Sequence, residues 1–339
     1  MKSVRVVSYG IGVIGQKLAT HLLEKEGVEI VGAVDINPKL IGKDLGEVLS
    51  AKKLGVKISS DVDAVLDDAK PDIVCHTTMS YLKQTFDQFD KVLGHGVPVV
   101  STCEELSYPY ATKEGAEYAV KLDKLAKKCK AAILGTGVNP GFLMDTLPLA
   151  LTAICQRVDH IAVTRVVNAS QRRGPFQAKI GSGMTVADFN AKMAAGRMGH
   201  VGLPESVGMV FHTLGKTLVR YESGVEPVVA DRLVKTEYFT VQPGQVMGLK
   251  QVSRGYAAEA GTEQSRSGEF MALIFIAALD AGEDGDTIQI MGKPDLEVKL
   301  KGTNGDIATV AIAVNAVRRV KDAAPGLVTM RDLPIVTVW

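Results

Sequence analysis

Cysteine is scarce in this 339-residue chain: Cys75, Cys103, Cys129 and Cys155 are all it has. No two form a CxxC pair and none has a histidine at metal-ligand spacing, so no structural zinc site is expected and a reducing, cytoplasmic setting is the natural reading. Charge of one sign is also lacking. With 39 basic and 38 acidic residues the net charge is +1, which offers no electrostatic footprint for nucleic acid or an anionic membrane. Long hydrophobic runs are missing too. The longest, Phe270 to Leu279, falls well short of the ~18 residues that would suggest a membrane helix. The first residues lead straight into a strand pattern, with no signal peptide expected. No internal repeat or low-complexity segment is present, and no His-His pair occurs.

What is there is an ordinary globular composition, 46% hydrophobic and 23% charged, in a length that suggests two domains at about 150 residues each. The chain is organised around Val4 to Asp35. A β-branched run, Val4 to Tyr9, leads into Gly10-Ile11-Gly12-Val13-Ile14-Gly15. A helical stretch follows, with Ile14, Leu18, Leu22 and Leu23 on one side, and a second apolar run ends on Asp35. In such a strand–turn–helix–strand unit the first glycine permits the tight turn. The second lets backbone approach a pyrophosphate, and the third lets helix pack on strand. The helix N-terminus offers unpaired N–H groups to the phosphate. Asp35 can accept from an adenosine ribose and favours NAD over NADP, with Lys39 near enough in sequence to leave NADP open.

Further strand ends line up behind this unit. Asp72 to Thr78 reads as a buried parallel strand ending in the hydroxyls of Thr77 and Thr78, with His76 as a wall of the cleft. Val97 to Ser101 opens into Thr102-Cys103-Glu104-Glu105, near where a nicotinamide should lie. Side chains one apart on an extended segment point opposite ways, so at most one of the two acids should face the cleft. Ala131 to Leu134 ends in a second glycine loop, Gly135 to Phe142, where Asn139 precedes Pro140 and is held extended.

From Leu143 the βαβ rhythm stops. His160 to Asn168 alternates as a strand and Gly174 to Gly183 reads as a flexible loop. Thr185–Ala195 and Pro204–Val219 read as helices. Strand patterns follow at Val225–Val241, Val246–Ala260, Phe270–Leu279, Thr287–Met291 and Leu296–Leu300. Runs of strands with few helices suggest an α+β domain with a mainly antiparallel sheet. Gly305 to Lys321 is an amphipathic helix, with Ile307, Val310, Ala311, Val314 and Val317 on its apolar face. The expected fold is therefore α/β: a Rossmann dinucleotide-binding domain from 1–142 and 303–339, and a second, substrate-binding domain from 143–302.

The glycine turn, Ser101-Thr102-Cys103-Glu104-Glu105, Gly137-Val138-Asn139-Pro140-Gly141-Phe142 and Asn304-Gly305-Asp306 together resemble the 2,4-diaminopentanoate dehydrogenase and native amine dehydrogenase family. The likeness runs over nearly the whole chain, with a broader fold kinship to dihydrodipicolinate reductase. It implies NAD(P)-dependent oxidative deamination of an amine, 2,4-diaminopentanoate going to 2-amino-4-oxopentanoate plus ammonia. It also implies a homodimer built through the second domains, and a strand-end glutamate, here Glu104, that handles the reacting nitrogen.

The chemistry makes independent sense of these residues. Amine oxidation needs one carboxylate to take a proton from the ammonium and later activate water, and no metal, because the cofactor carries the hydride chemistry. A carboxylate in an apolar pocket would suit by its raised pKa. Glu104 is the candidate and Glu105 its rival. Candidate substrate contacts are Asn139, Phe142, Arg165, Asn168 and His200, with Arg172 and Arg173 in the adjoining loop, since arginine grips a carboxylate in bidentate fashion. Thr77, Thr78, Thr102 and Asn304 join Gly10 to Gly15 and Asp35 as cofactor candidates. Competing readings are an imine reductase, which lacks its paired histidines here, a Cys103-dependent aldehyde dehydrogenase, and a nucleotide-sensing regulator.

Overall fold

The computed structural model describes residues 3–196, 198–258 and 267–339. The chain divides into two compact units, Met1–Phe142 with Asn304–Trp339, and Leu143–Thr303. In chain order the first unit begins with β1 (Val4–Tyr9), α1 (Val13–Leu23), β2 (Val28–Val34), α2 (Leu45–Val48), β3 (Ile58–Ser59), α3 (Val62–Ala69) and β4 (Ile73–His76). It continues through α4 (Leu82–Gly94), β5 (Val99–Ser101), α5 (Lys113–Lys128) and β6 (Ala132–Gly135). The second unit holds α6 (Thr146–Thr152), β7 (Arg157–Asn168), α7 (Gly174–Lys179), α8 (Val186–Ala194), α9 (Leu203–Thr213) and β8 (Leu218–Val229). Then come β9 (Val234–Lys235), β10 (Thr240–Val241), β11 (Val246–Ala258), β12 (Ser267–Ala278), β13 (Gly285–Lys293) and β14 (Leu296–Lys301). The chain returns to the first unit with α10 (Gly305–Lys321) and β15 (Gly326–Val328).

The first unit is a seven-stranded parallel sheet in the order β15-β6-β5-β4-β1-β2-β3. From β1 the strands grow outward to β2 and β3, then resume on the other side with β4. The order therefore reverses between β1 and β4, and in open α/β sheets that switch point is where a ligand-binding crevice opens. Because all strands run one way, the loops after β1, β2, β4, β5 and β6 emerge at one edge. Fully apolar strands such as Ile73-Val74-Cys75 fit burial on both faces. On α10, Val310, Ala313, Val314, Ala316, Val317 and Val320 are buried in one core with α1 and the sheet. Ile307, expected on that face, is instead 68% exposed, because it lies in the first turn at the rim.

The second unit is a six-stranded sheet, β14-β13-β7-β12-β11-β8. Its pairs are antiparallel except β7 with β12, so the sheet is mixed rather than purely antiparallel. One face carries Ile161, Val163, Leu273 and Ile288 into the core with Phe189, Val207 and Phe211 of the helices. Alternation puts Ala162, Thr164, Val166 and Ile274 on the opposite face, where they stay half-exposed. Several boundaries differ from the sequence reading. Gly174–Lys179 is a helix, not a loop, with Pro175 in its first turn where proline is tolerated. The helix from Leu203 stops at Thr213, and β8 begins at Leu218, upstream of the expected Val225. Of the strand expected over 246–260, the last two residues lie outside the described residues.

Candidate active site

The glycine turn is held by sterics that no other residue satisfies. Gly10 has φ +94°, and a Cβ on Gly15 would lie 1.8 Å from Gly10 O. The Thr77 hydroxyl donates to Gly10 O at 2.8 Å, fastening the turn to the end of β4. Gly12 is the N-cap of α1 and makes no side-chain cap, and a Cβ placed on it would meet nothing within 4 Å. Uncapped N–H groups thus face open space, which suits a pyrophosphate. Val13 is 49% exposed at this helix start, whereas the Ile11 side chain is core. The Ile11 N–H donates to Asp35 Oδ2 at 2.6 Å, and the Asn37 N–H to Asp35 Oδ1 at 2.8 Å. Asp35 is thereby fixed against the glycine turn, with carboxylate lone pairs still to spare for hydroxyl donors. These features fit a bound dinucleotide.

Thr78 serves His76 rather than the crevice directly: its hydroxyl donates to Gln88 Oε1 at 2.8 Å and lies 2.9 Å from His76 Nε2. His76 is 1% exposed. Its Nε2 lies 2.6 Å from Gln88 Oε1, and its Nδ1 2.9 Å from Ser101 Oγ. A neutral ring meets both contacts, donating to Gln88 and accepting from Ser101, and burial pushes its pKa down to about 4. It is a wall and not a proton shuttle at neutral pH. The Thr102 N–H donates to His76 O at 3.0 Å, which places Thr102 at the same edge.

After β5 the chain makes a tight 3₁₀ turn, Glu104–Leu106, rather than an extended segment. Gly135 of β6 lets this turn approach, since a Cβ there would come within 2.4 Å of Leu106 C. Glu105 Oε2 accepts the Leu82 N–H at 2.6 Å at the start of α4, a capping contact that commits this acid to structure. Burial raises the Glu105 pKa, and the Leu82 N–H pulls it back. Glu104 stands half-buried at the start of the same turn. Cys103 is buried, its thiol pushed up to about 12 by desolvation, and its Sγ donates to Ser80 O. That removes it as a nucleophile and with it the aldehyde dehydrogenase reading.

In the β6 loop the Asn139–Pro140 peptide is cis. Asn139 is 7% exposed, and neither Oδ1 nor Nδ2 has a hydrogen-bond partner among the described residues. A buried amide with all its valences open calls for an explanation, and a ligand supplies one. Phe142 is half-buried at the end of the same loop. Asn304, expected at the cofactor, caps α10: its Oδ1 accepts from the N–H groups of Asp306 and Ile307. A cavity of about 490 Å³ also occurs in this unit, lined by residues of α1 and α10 and by Val48 to Ser50. It contains none of the strand-end residues and is not the crevice.

In the second unit, Arg165 lies on the inner face of β7 beside Asp286 of β13. Its Nε is 3.7 Å from Asp286 Oδ1, its Nη2 donates to Thr303 O at 3.0 Å, and its Nη1 is buried without a partner among the described residues. Burial lowers the Arg165 pKa and raises that of Asp286, with their mutual attraction opposing both shifts. Asn168, three residues on, faces the other way, as spacing on a regular strand requires, and its amide is used locally, Nδ2 donating to Gly282 O and Oδ1 accepting from Ser170 N–H. It fastens a turn and does not join Arg165. Arg172 stacks on Phe176, 5.0 Å from the ring centroid. His200 approaches Phe275 edge-on at 4.9 Å. Gln251, which carries no local sequence signal, holds the His200 backbone.

A glycine turn fastened to β4 at a topological switch point, with Asp35 aligned against it at the end of β2, is the architecture of a dinucleotide-binding oxidoreductase. Comparison with known proteins agrees. Residues 142–339 match the 2,4-diaminopentanoate dehydrogenase C-terminal domain, and residues 4–133 match the dihydrodipicolinate reductase N-terminus. The chain belongs to the 2,4-diaminopentanoate dehydrogenase family. It is 33% identical to the 2,4-diaminopentanoate dehydrogenase of Acetoanaerobium sticklandii, over 99% of this chain and 94% of that protein. It is 23% identical to an amine dehydrogenase of Streptomyces virginiae, over 98% of this chain and 96% of that one. The solved amine dehydrogenase of Mycobacterium smegmatis superposes with a TM-score of 0.84 at 27% identity, covering 99% of this chain and 97% of that chain. The protein is a dehydrogenase.

The buried His76 generates a pH prediction. Its native pKa of about 4 lies below the unfolded value of 6.5, so as pH falls between them the unfolded chain gains a proton that the native state refuses. Stability should therefore fall with pH across that window, by up to about 3 kcal/mol from this residue. Denaturant titrations of His76→Gln at pH 7 and pH 4.5 should show a shallower loss than wild type; equal losses would contradict the neutral, buried assignment.

Proposed function

We propose that the protein catalyses NAD-dependent oxidative deamination of an amine, 2,4-diaminopentanoate being the substrate that the family membership favours. The observation that carries this reading is the place of Glu104, half-buried in the turn that follows β5 at the edge where the strand-end loops of the parallel sheet emerge. Gly10, Ile11, Gly12, Val13, Ile14 and Gly15 hold the pyrophosphate through backbone, and Asp35 takes the ribose. Thr77 and Thr102 shape the crevice floor, and Thr78 braces the His76 wall. When bound there, the nicotinamide would supply the acceptor for a hydride from the amine carbon. Glu104 would orient the amine and take the ammonium's proton, passing it to solvent; the regained carboxylate would then take a proton from the water that adds to the iminium and return it to the departing ammonia. Asn139 offers its amide, and Phe142 an apolar wall, to the same substrate. Arg165 Nη1 is the donor for a carboxylate, and Asp35 disfavours a 2′-phosphate by like charge.

The protein acts as a homodimer on this reading. The support is the outer face of the six-stranded sheet, where Ala162, Thr164, Val166, Val252 and Ile274 stay half-exposed. Ile274→Asp should shift the species seen in sedimentation to half its mass, and an unchanged profile would place any interface elsewhere.

Glu104→Gln keeps shape and removes charge. It should lower amine turnover at least ~10²-fold, the lower range for general acid–base catalysis, with NADH affinity nearly intact. Glu105→Gln should act on stability instead. Normal turnover in Glu104→Gln would move the proton handler elsewhere. In the same assays Asp35→Ala should weaken NAD and narrow its advantage over NADP; an unaltered cofactor ratio would remove Asp35 from the ribose.

A further inference from the structure

One row on the inner face of the second unit's sheet carries three polar side chains around a single aromatic ring. Register aligns Asp286 with Arg165, Arg165 with Phe275, and Phe275 with Gln251, across β13, β7, β12 and β11. One row away stand Ile288, Val163 and Leu273, all buried, with the small hydroxyl of Ser253 next to them on β11. Adjacent strands lie about 4.8 Å apart, so Arg165 and Gln251 are separated by about 10 Å, with Phe275 between them.

Gln251 is 7% exposed, and both ends of its amide are used on a single residue. Its Oε1 accepts the His200 N–H at 2.6 Å, and its Nε2 donates to His200 O at 3.3 Å. One side chain thus serves both backbone groups, as a neighbouring strand would. Nε2 also reaches Ser223 Oγ at 3.5 Å. Gly199, at φ +108°, allows this approach, since a Cβ there would lie 3.2 Å from Gln251 Oε1.

The clamp decides what the imidazole can do. His200 Nδ1 contacts Val201 O, and a carbonyl can only accept, so the proton sits on Nδ1. Nε2 is therefore a lone pair, and no donor among the described residues is bonded to it. Burial pushes the ring down to about 4, Lys179 and Arg165 adding to the effect, so it stays neutral. The row thus sets an open guanidinium donor and an open neutral acceptor on either side of one aromatic ring.

We propose that Gln251 is a positioning residue that presents His200 Nε2 as the acceptor for the substrate's non-reacting α-ammonium, while Arg165 on the same row takes its carboxylate. This rests on the reading of a diamino acid as substrate, and it assigns recognition of the amino acid end to one clamped histidine.

Calorimetric binding to the full-length protein with NAD present tests it, using two probes that lack the reacting amine. 2-Aminopentanoate carries ammonium and carboxylate; pentanoate carries the carboxylate alone. Wild type should bind the first at least tenfold tighter. Gln251→Met removes both clamp contacts and should reduce that ratio below threefold, mainly by weakening 2-aminopentanoate. Gln251→Glu keeps the acceptor for His200 N–H and loses the donor to His200 O, so it should give an intermediate ratio. A purely structural role would weaken both probes alike. Equal binding of the two probes by wild type, or a ratio that survives both substitutions, would overturn the inference. Turnover of 2,4-diaminopentanoate by the same wild-type preparation tests the underlying reading separately.

Discussion

The close approach of Gly15 to Gly10 O is the constraint on which the first unit depends. A methyl group at Gly15 would sit 1.8 Å from that carbonyl, so only glycine lets α1 begin where it does. Because α1 begins there, its uncapped N–H groups lie at the edge where the strands end. Thr77 binds the same carbonyl and so couples the turn to β4, across the point where strand order reverses. The crevice is thus a product of backbone sterics first and of side-chain chemistry second. Asp35 extends the arrangement, since its carboxylate is aligned by the turn's own Ile11 N–H.

The second unit solves a different problem. Its sheet buries one face against helices, and alternation along β7 to β13 would make that face wholly apolar. Arg165, Asp286 and Gln251 interrupt it. Burying an ion pair with a 3.7 Å separation and an unpartnered guanidinium nitrogen is costly, and desolvation outweighs attraction in both pKa shifts. Such a row is a poor device for stability, but a ligand that completes its open valences would recover much of that cost.

Legibility in the sequence followed the range of the interactions. The glycine turn, its strand and the acid twenty residues on are local, and so were readable. The α10 cap was also local: Asn304 two residues before Asp306 is an N-cap pattern, and that reading would have kept Asn304 apart from the cofactor. The short α7 was hidden because Gly174 and Pro175 look like loop residues unless read as a helix start. Other roles had no local trace. Glu105 meets Leu82, 23 residues away, and Gln251 meets His200, 51 residues away. Arg165 was legible as a guanidinium on a strand, but its pairing with Asp286 depends on strand register. Asn168 spends its amide on turn partners at the strand end, which periodicity does not reveal.

The central claim is that a carboxylate-assisted deamination takes place, and product stoichiometry tests it most directly. With 2,4-diaminopentanoate and NAD, ammonia and NADH should appear in equal amounts, accompanied by a ketone at C4 and the α-amino group intact. NADH formed without ammonia, or no NADH with any amine while alcohols are oxidised, would contradict the account.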